Sequence, residues 1–112
     1  MRQKGVECYK MAKSIMHNKQ DGTCYLCMLL RQDYDTRRDL QEHHVMSGTA
    51  NKKLSEHYGL KVYLCLEHHT AGPYAVHNNA RVRLILREKA QKIFEKKYSH
   101  EKWMEVFGRN YL

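Results

Sequence analysis

No apolar run in the sequence approaches the length of a membrane span, so a transmembrane helix is not expected. The polar, basic N-terminus has no apolar signal-peptide core, which makes cytoplasmic residence the expectation. There is no internal repeat and no low-complexity segment, and with no base-reading motif strong intrinsic sequence specificity is not predicted. Acidic residues are also scarce. Twelve Asp and Glu face twenty Lys and Arg, giving a formal charge of +8 and a pI near 9.4. That excess favours a polyanionic partner, and nucleic acid ranks ahead of anionic lipid because no strongly apolar surface helix is evident.

What is present fits one soluble domain. A chain of 112 residues with 42% hydrophobic content and mean hydropathy of −0.79 has room for one modest core. Domains this short often need a metal, disulfides or oligomerisation. The four cysteines, in a chain with no secretion signal, read as metal ligands before disulfides, because cytosolic thiols stay reduced.

The first twenty residues or so carry Val6, Tyr9, Met11, Ala12, Ile15 and Met16 at a spacing that predicts a short amphipathic helix ended by Asp21-Gly22. Residues 31 to 39 read as a loop or exposed hairpin, and Leu40 to Met46 as extended chain. A short helix starting at Thr49 or Asn51 is predicted to stop at Gly59, followed by an alternating β-strand from Leu60 to Leu66. From Asn79 to Tyr98 a long helix is predicted, with Val82, Ile85, Leu86, Ala90, Ile93 and Phe94 as its apolar stripe. Ser99 caps a last helix anchored by Trp103, Val106 and Phe107 before Gly108.

Two short motifs far apart carry metal chemistry. Cys24-x-x-Cys27 and Cys65-x-x-His68 offer four soft donors, the set a tetrahedral structural zinc takes. Such an ion would tie the N-terminal knuckle to the end of the second strand and stabilise the small core. His69 is the alternative fourth ligand, though spacing favours His68. Cys8 has no partner at ligand spacing and reads as a buried or free thiol.

Glu42-His43-His44 stands at a strand end, where successive side chains point to opposite faces. A phosphodiester hydrolase needs an imidazole to take a proton from water and a divalent ion to stabilise charge on the phosphate. The bland alternatives are two exposed histidines or extra zinc ligands.

A CxxC knuckle, a histidine pair near a strand end, a second knuckle and a histidine directly after it resemble the His-Asn-His (HNH) endonuclease family over Cys24 to His69. The resemblance implies an α+β fold: a ββα-metal finger stapled by a structural zinc (core about residues 22–98 of a single 1–112 domain), with flanking N- and C-terminal helices. Carried over position by position, it implies His44 as general base, and His43 and His69 as ligands of a catalytic ion. His43 takes the place of the family's Asp, so the ion's shell would be richer in nitrogen, which favours manganese, nickel or zinc over magnesium. The family's Asn place, shortly before the second knuckle, holds Leu60. Asn51 is the nearest candidate, either orienting the loop with His44 or capping a helix. His77 is a further candidate ligand, and Glu42 either orients an imidazole or is a solvated charge.

The run from Glu42 to Leu112 is similar to small phage and prophage HNH proteins of the recombination-enhancing, RecA-dependent nuclease type, on His43-His44, Ser47-Gly48, Asn51-Lys52-Lys53, Tyr58-Gly59-Leu60, Cys65-His68-His69 and Val76-His77. That resemblance implies metal-dependent DNA hydrolysis leaving 5′-phosphate and 3′-hydroxyl ends, phage recombination or DNA processing in the host cytoplasm, and a recombinase filament or other phage protein as partner. Either a monomer or a dimer is compatible with it. Arg37, Arg38, Lys52, Lys53, Arg83 and Arg87 are the candidate phosphate contacts, against their commoner fate as a solvated face. The competing functions are a non-catalytic zinc-binding nucleic-acid module and a protein-interaction domain docking through Trp103, Phe107 and Tyr111.

Overall fold

The computed structural model describes residues 12–112. Its elements are helix α1 (Tyr25–Arg31), strand β1 (Gln41–His44), helix α2 (Thr49–Tyr58), strand β2 (Lys61–Leu64), helix α3 (Ala80–Lys97) and helix α4 (His100–Phe107), with a 3-10 turn at Lys19–Asp21 and a π-helical turn at Glu67–Ala71. The result is an α+β fold around one two-stranded sheet.

The N-terminal helix expected to run to about residue 20 is not found where it can be judged. Residues 12–18 have no helical structure, and the rest of that helix, with Cys8, lies outside the described residues. The backbone donors here are engaged elsewhere. Ile15 N–H bonds Gly59 O at 2.9 Å, and Ala12 N–H bonds Glu56 O at 3.3 Å. The Ser14 hydroxyl donates to Lys61 O and accepts from the N–H groups of Met16 and His17, holding this arm against the start of β2. Tertiary partners outcompete a helix of modest propensity.

β1 and β2 pair antiparallel, Gln41 opposite Leu64, Glu42 opposite Tyr63, His43 opposite Val62 and His44 opposite Lys61. All four residues of β2 are buried, so the expected alternation of exposure is absent; the arm at residues 12–18 lies along its outer edge, where Ser14 and His17 meet Lys61 O and Tyr63 N. Gly59 ends α2 in the left-handed region at φ 72°, and a Cβ there would meet Lys13 O at 2.3 Å, so only glycine lets the arm approach.

α3 begins where expected. The Asn79 side chain caps it by accepting from Arg81 N and Val82 N, and Val82, Leu86, Ala90 and Phe94 go into the core. Ser99 caps α4 as expected, and Gly108 ends it. Trp103 is fully buried, its ring 5.3 Å from Phe94 and 4.4 Å from Phe107, with its N–H donating to Arg109 O. Trp103 is therefore core and not a docking surface, since burying such a side chain contributes roughly 3 kcal/mol or more. Among the described residues no helix is long and apolar enough to cross a membrane.

Candidate metal centres and the adjoining histidine cluster

Cys24, Cys27, Cys65 and His68 meet in one place. Cys24 precedes α1 as its N-cap and Cys27 sits in its first turn, so the helix itself brings the two sulfurs to one side. Cys65 follows β2, and His68 lies in the π-helical turn, 3% exposed. The Cys27 and Cys65 sulfurs are 3.8 Å apart, far beyond a disulfide. His68 Nδ1 stands 3.8 Å from Cys24 Sγ, 3.3 Å from Cys27 Sγ and 3.6 Å from Cys65 Sγ. With zinc bond lengths, tetrahedral edges come to about 3.8 Å for S···S and about 3.6 Å for S···N. The four donors thus fit a tetrahedral ion, and the cluster can hold a metal such as zinc. Of the two candidate fourth ligands, His68 supplies the donor.

Its electrostatics would suit a cation. Burial, with Cys24 and Cys65 alongside, pushes the Cys27 thiol up to about 12, so the sulfurs do not all ionise in each other's company without one. Arg37 completes the balance, its guanidinium 3.5 Å from Cys27 Sγ and 2.8 Å from Asp33 Oδ2. Three thiolates and a dication would leave one negative charge, which Arg37 stands beside to offset. This residue, expected at a phosphate, is committed to the cluster.

A second group lies one residue further along the turn. His43, His69 and His77 bring their ring nitrogens together, with ring centroids 5.5, 5.2 and 4.7 Å apart. His69 Nδ1 donates to Gln41 Oε1, which leaves its Nε2 lone pair free, 3.1 Å from His77 Nε2. Two nitrogens on one zinc would stand about 3.3 Å apart. Gln41 and His43 share one face of β1, so a single strand face supplies a candidate ligand and the hydrogen bond that orients another. Burial above all, then the neighbouring His77, His69 and His44 and the charge of Arg87, hold His43 down to about 3. His43 is therefore neutral at working pH, the form that binds metal. Burial, with His77 beside it, lowers His69 as well. The group differs from the sulfur cluster in being open: His43 is buried, His69 half-buried and His77 exposed, and among the described residues no fourth ligand joins them.

His44 faces the other side of β1, as strand alternation requires. Its Nε2 lies 2.7 Å from Glu56 Oε1 in α2 and 3.9 Å from Glu42 Oε1. The Lys61 ammonium, its side chain 5% exposed, sits 2.7 Å from Glu56 Oε2 and 3.2 Å from Glu42 Oε2. Burial works to raise Glu56, but the hydrogen bonds from Lys61 and His44 outweigh it and keep this carboxyl below its usual range. An ionised Glu56 only accepts, so His44 Nε2 carries a proton, and in the neutral ring the lone pair is on Nδ1. Glu42, His44 and Glu56 are themselves close enough for a metal, but the Lys61 ammonium already lies between the carboxylates.

Glu56 and Lys61 are thus the functional candidates missed in the sequence. Glu56 follows His44 by twelve residues, inside a segment read only as a short helix. Asn51 lies in the first turn of α2, and among the described residues no hydrogen bond joins its side chain to His44. Arg83 donates to Val76 O at 3.0 Å and Arg87 to Ser47 Oγ at 2.9 Å, while Arg38, Lys52 and Lys53 are exposed. Compared with family models, curated proteins and solved structures, the chain matches none.

Proposed function

We propose that this chain is a metal-dependent DNA endonuclease of the HNH-like kind, in which β1, β2 and the turn after them act as a ββα-metal finger. The observation that carries it is one five-residue turn serving two ion sites of different character. His68 completes a closed set of four donors, and His69 belongs to an open set of three. Closed four-donor sites are structural, whereas three protein ligands with a free position are the pattern of catalytic ions. Zinc in the Cys24, Cys27, Cys65, His68 site is accordingly structural in this reading.

A divalent ion held by His43, His69 and His77 would supply Lewis-acid stabilisation of charge on the phosphate and the leaving oxygen. The protein's own groups do the rest. His44 stands on the opposite face of β1 from the three histidines, so this reading requires the scissile phosphate to lie across the strand end between them. There His44 Nδ1 takes the proton from the attacking water, and Glu56 accepts the Nε2–H bond that fixes the ring and stabilises the imidazolium. Lys61 keeps Glu56 ionised while this happens. Phosphate binding draws on the excess of Lys and Arg. Phage recombination or DNA processing, a recombinase filament or other phage protein as partner, and residence in the host cytoplasm follow from the family resemblance alone.

Supercoiled plasmid incubated with the zinc-containing protein and magnesium, manganese or nickel tests the reading. Nicking is expected with at least one ion, His44→Ala should fall by about 10²- to 10⁴-fold, and Glu56→Gln by less. Undiminished cutting by His44→Ala removes it as base. No cutting with any ion, together with retained DNA binding, leaves the non-catalytic nucleic-acid module.

A further inference from the structure

His68 and His69 are neighbours in sequence but belong to different clusters, and the backbone around them is held by several hydrogen bonds. Both their N–H groups donate to Cys65 O, at 3.2 and 2.9 Å, so the turn hangs from a residue that is itself a sulfur donor. Their carbonyls in turn receive the next stretch of chain: Val76 N–H bonds His68 O at 2.8 Å and His77 N–H bonds His69 O at 3.3 Å. Gly72 N–H closes the turn on Glu67 O at 2.9 Å. His43 connects to the same place through the sheet, being paired with Val62 in the strand that leads directly to Cys65. His69 is therefore tied directly to Cys65 and His68, His77 indirectly through His69 and through Val76 on His68, and His43 indirectly through its strand partner Val62.

We propose that the two metal sites are thermodynamically coupled through this turn: an ion among Cys24, Cys27, Cys65 and His68 preorganises His43, His69 and His77 for a second ion, and the second ion holds the first site shut. The inference rests on the two-site reading above and adds the linkage between the sites. The physical basis is ordering. With no ion among the sulfurs, the turn keeps its backbone bonds, the Asn78 amide donating to Thr70 O and Gly72 O, and the His69–Gln41 bond, and an ion at the histidines must supply the remaining order at its own cost. Once the first ion has done so, the second binds a formed site. Linkage makes the effect reciprocal, by the same factor in each direction.

The reciprocal direction is the measurable one, because it keeps the protein folded and zinc-loaded throughout. Alkylation of Cys24, Cys27 and Cys65 by iodoacetamide, counted by mass spectrometry apart from Cys8, reports how often the zinc-thiolate cluster opens. Nickel added at one equivalent fills the histidine site and is followed by its weak ligand-field absorption. Filling that site should slow alkylation of the three cysteines by about tenfold, within the usual range of coupling between sites. In His77→Ala, where the exposed ligand is gone and the fold is retained by circular dichroism, nickel should have no such effect. Nickel that binds the wild type but leaves its alkylation rate unchanged overturns the coupling alone. Failure of nickel to bind the zinc-loaded wild type overturns the three-histidine site, and the coupling with it.

Discussion

At the scale of single residues, the histidines divide by what surrounds them and not by their spacing. His43 and His44 are adjacent, yet one ring is buried among histidines and the other is held between carboxylates. The pairing was legible because two neighbouring imidazoles at a strand end must face opposite ways. Glu56 was not, since nothing local marks a helix residue as the partner of a strand residue twelve positions earlier. His17 was equally invisible. It is buried, accepting Tyr63 N–H on Nδ1 at 3.1 Å, with rings of Tyr25 and Tyr63 at 5.3 and 5.5 Å. Burial lowers its pKa below 6.5, against a smaller opposing pull from Asp21. The folded state therefore binds fewer protons at His17 than the unfolded chain, once the pH falls below about 6.5. Stability from this residue is full above that pH and declines below it, by up to about 1.4 kcal/mol per pH unit. Urea unfolding between about pH 7.5 and about pH 5.5 should be steeper in pH for wild type than for His17→Gln. Metal-ligand protonation contributes to both proteins, so the difference isolates His17, and equal slopes would contradict this account.

At the scale of elements, the helices with capping side chains were legible to within a residue or two. Asn79 and Ser99 start α3 and α4, and Gly59 and Gly108 end α2 and α4, because caps and left-handed stops act locally. The arm at residues 12–18 and the exposure of β2 were not, because each depends on a long-range partner the other supplies. Helix α1 hid behind its own motif: Cys24-x-x-Cys27 reads as a knuckle turn, yet Cys24 also caps the helix, with Sγ accepting Cys27 N–H. The π-helical turn has no sequence signature at all, but Gly72 marks where it closes. Its φ of −93° suits any residue, so the constraint is steric: a Cβ there would lie 2.1 Å from Glu67 Oε2 and 2.8 Å from Glu67 O. The carboxylate end can swing away; the backbone carbonyl can move only with the turn. Gly72→Ala should therefore destabilise the protein by about 1–3 kcal/mol and speed zinc release, since His68 is carried on that turn. Urea unfolding and zinc transfer to a chromophoric chelator measure the two effects. Wild-type zinc retention in the variant would mean that the turn is not what positions His68.

At the scale of the molecule, the charge of +8 is spread over groups with different commitments. Arg37 lies against a thiol sulfur and Asp33, Arg83 against a backbone carbonyl, Arg87 against Ser47, and Lys61 between two carboxylates. Lys52 and Lys53, by contrast, are exposed on α2, the helix that also carries Glu56. Composition alone treats all of these as one basic surface; the fold separates charges engaged within the structure from charges left facing solvent, and under the proposed function the latter are the ones that meet DNA phosphates. That separation predicts two kinds of response to neutralisation. A lysine that neutralises a phosphate releases a counterion, so removing both should lessen the slope of log affinity against log salt by roughly 1.8 on duplex DNA. Lys52→Gln with Lys53→Gln should show that change by fluorescence anisotropy on a labelled duplex, with stability nearly unaltered. Arg37→Gln should do the opposite, leaving the salt slope close to wild type while zinc is lost more readily, because the guanidinium balances the sulfur cluster. If Arg37→Gln lowers the slope as much as the double lysine variant, that guanidinium is a phosphate contact and not a counterion of the sulfur cluster.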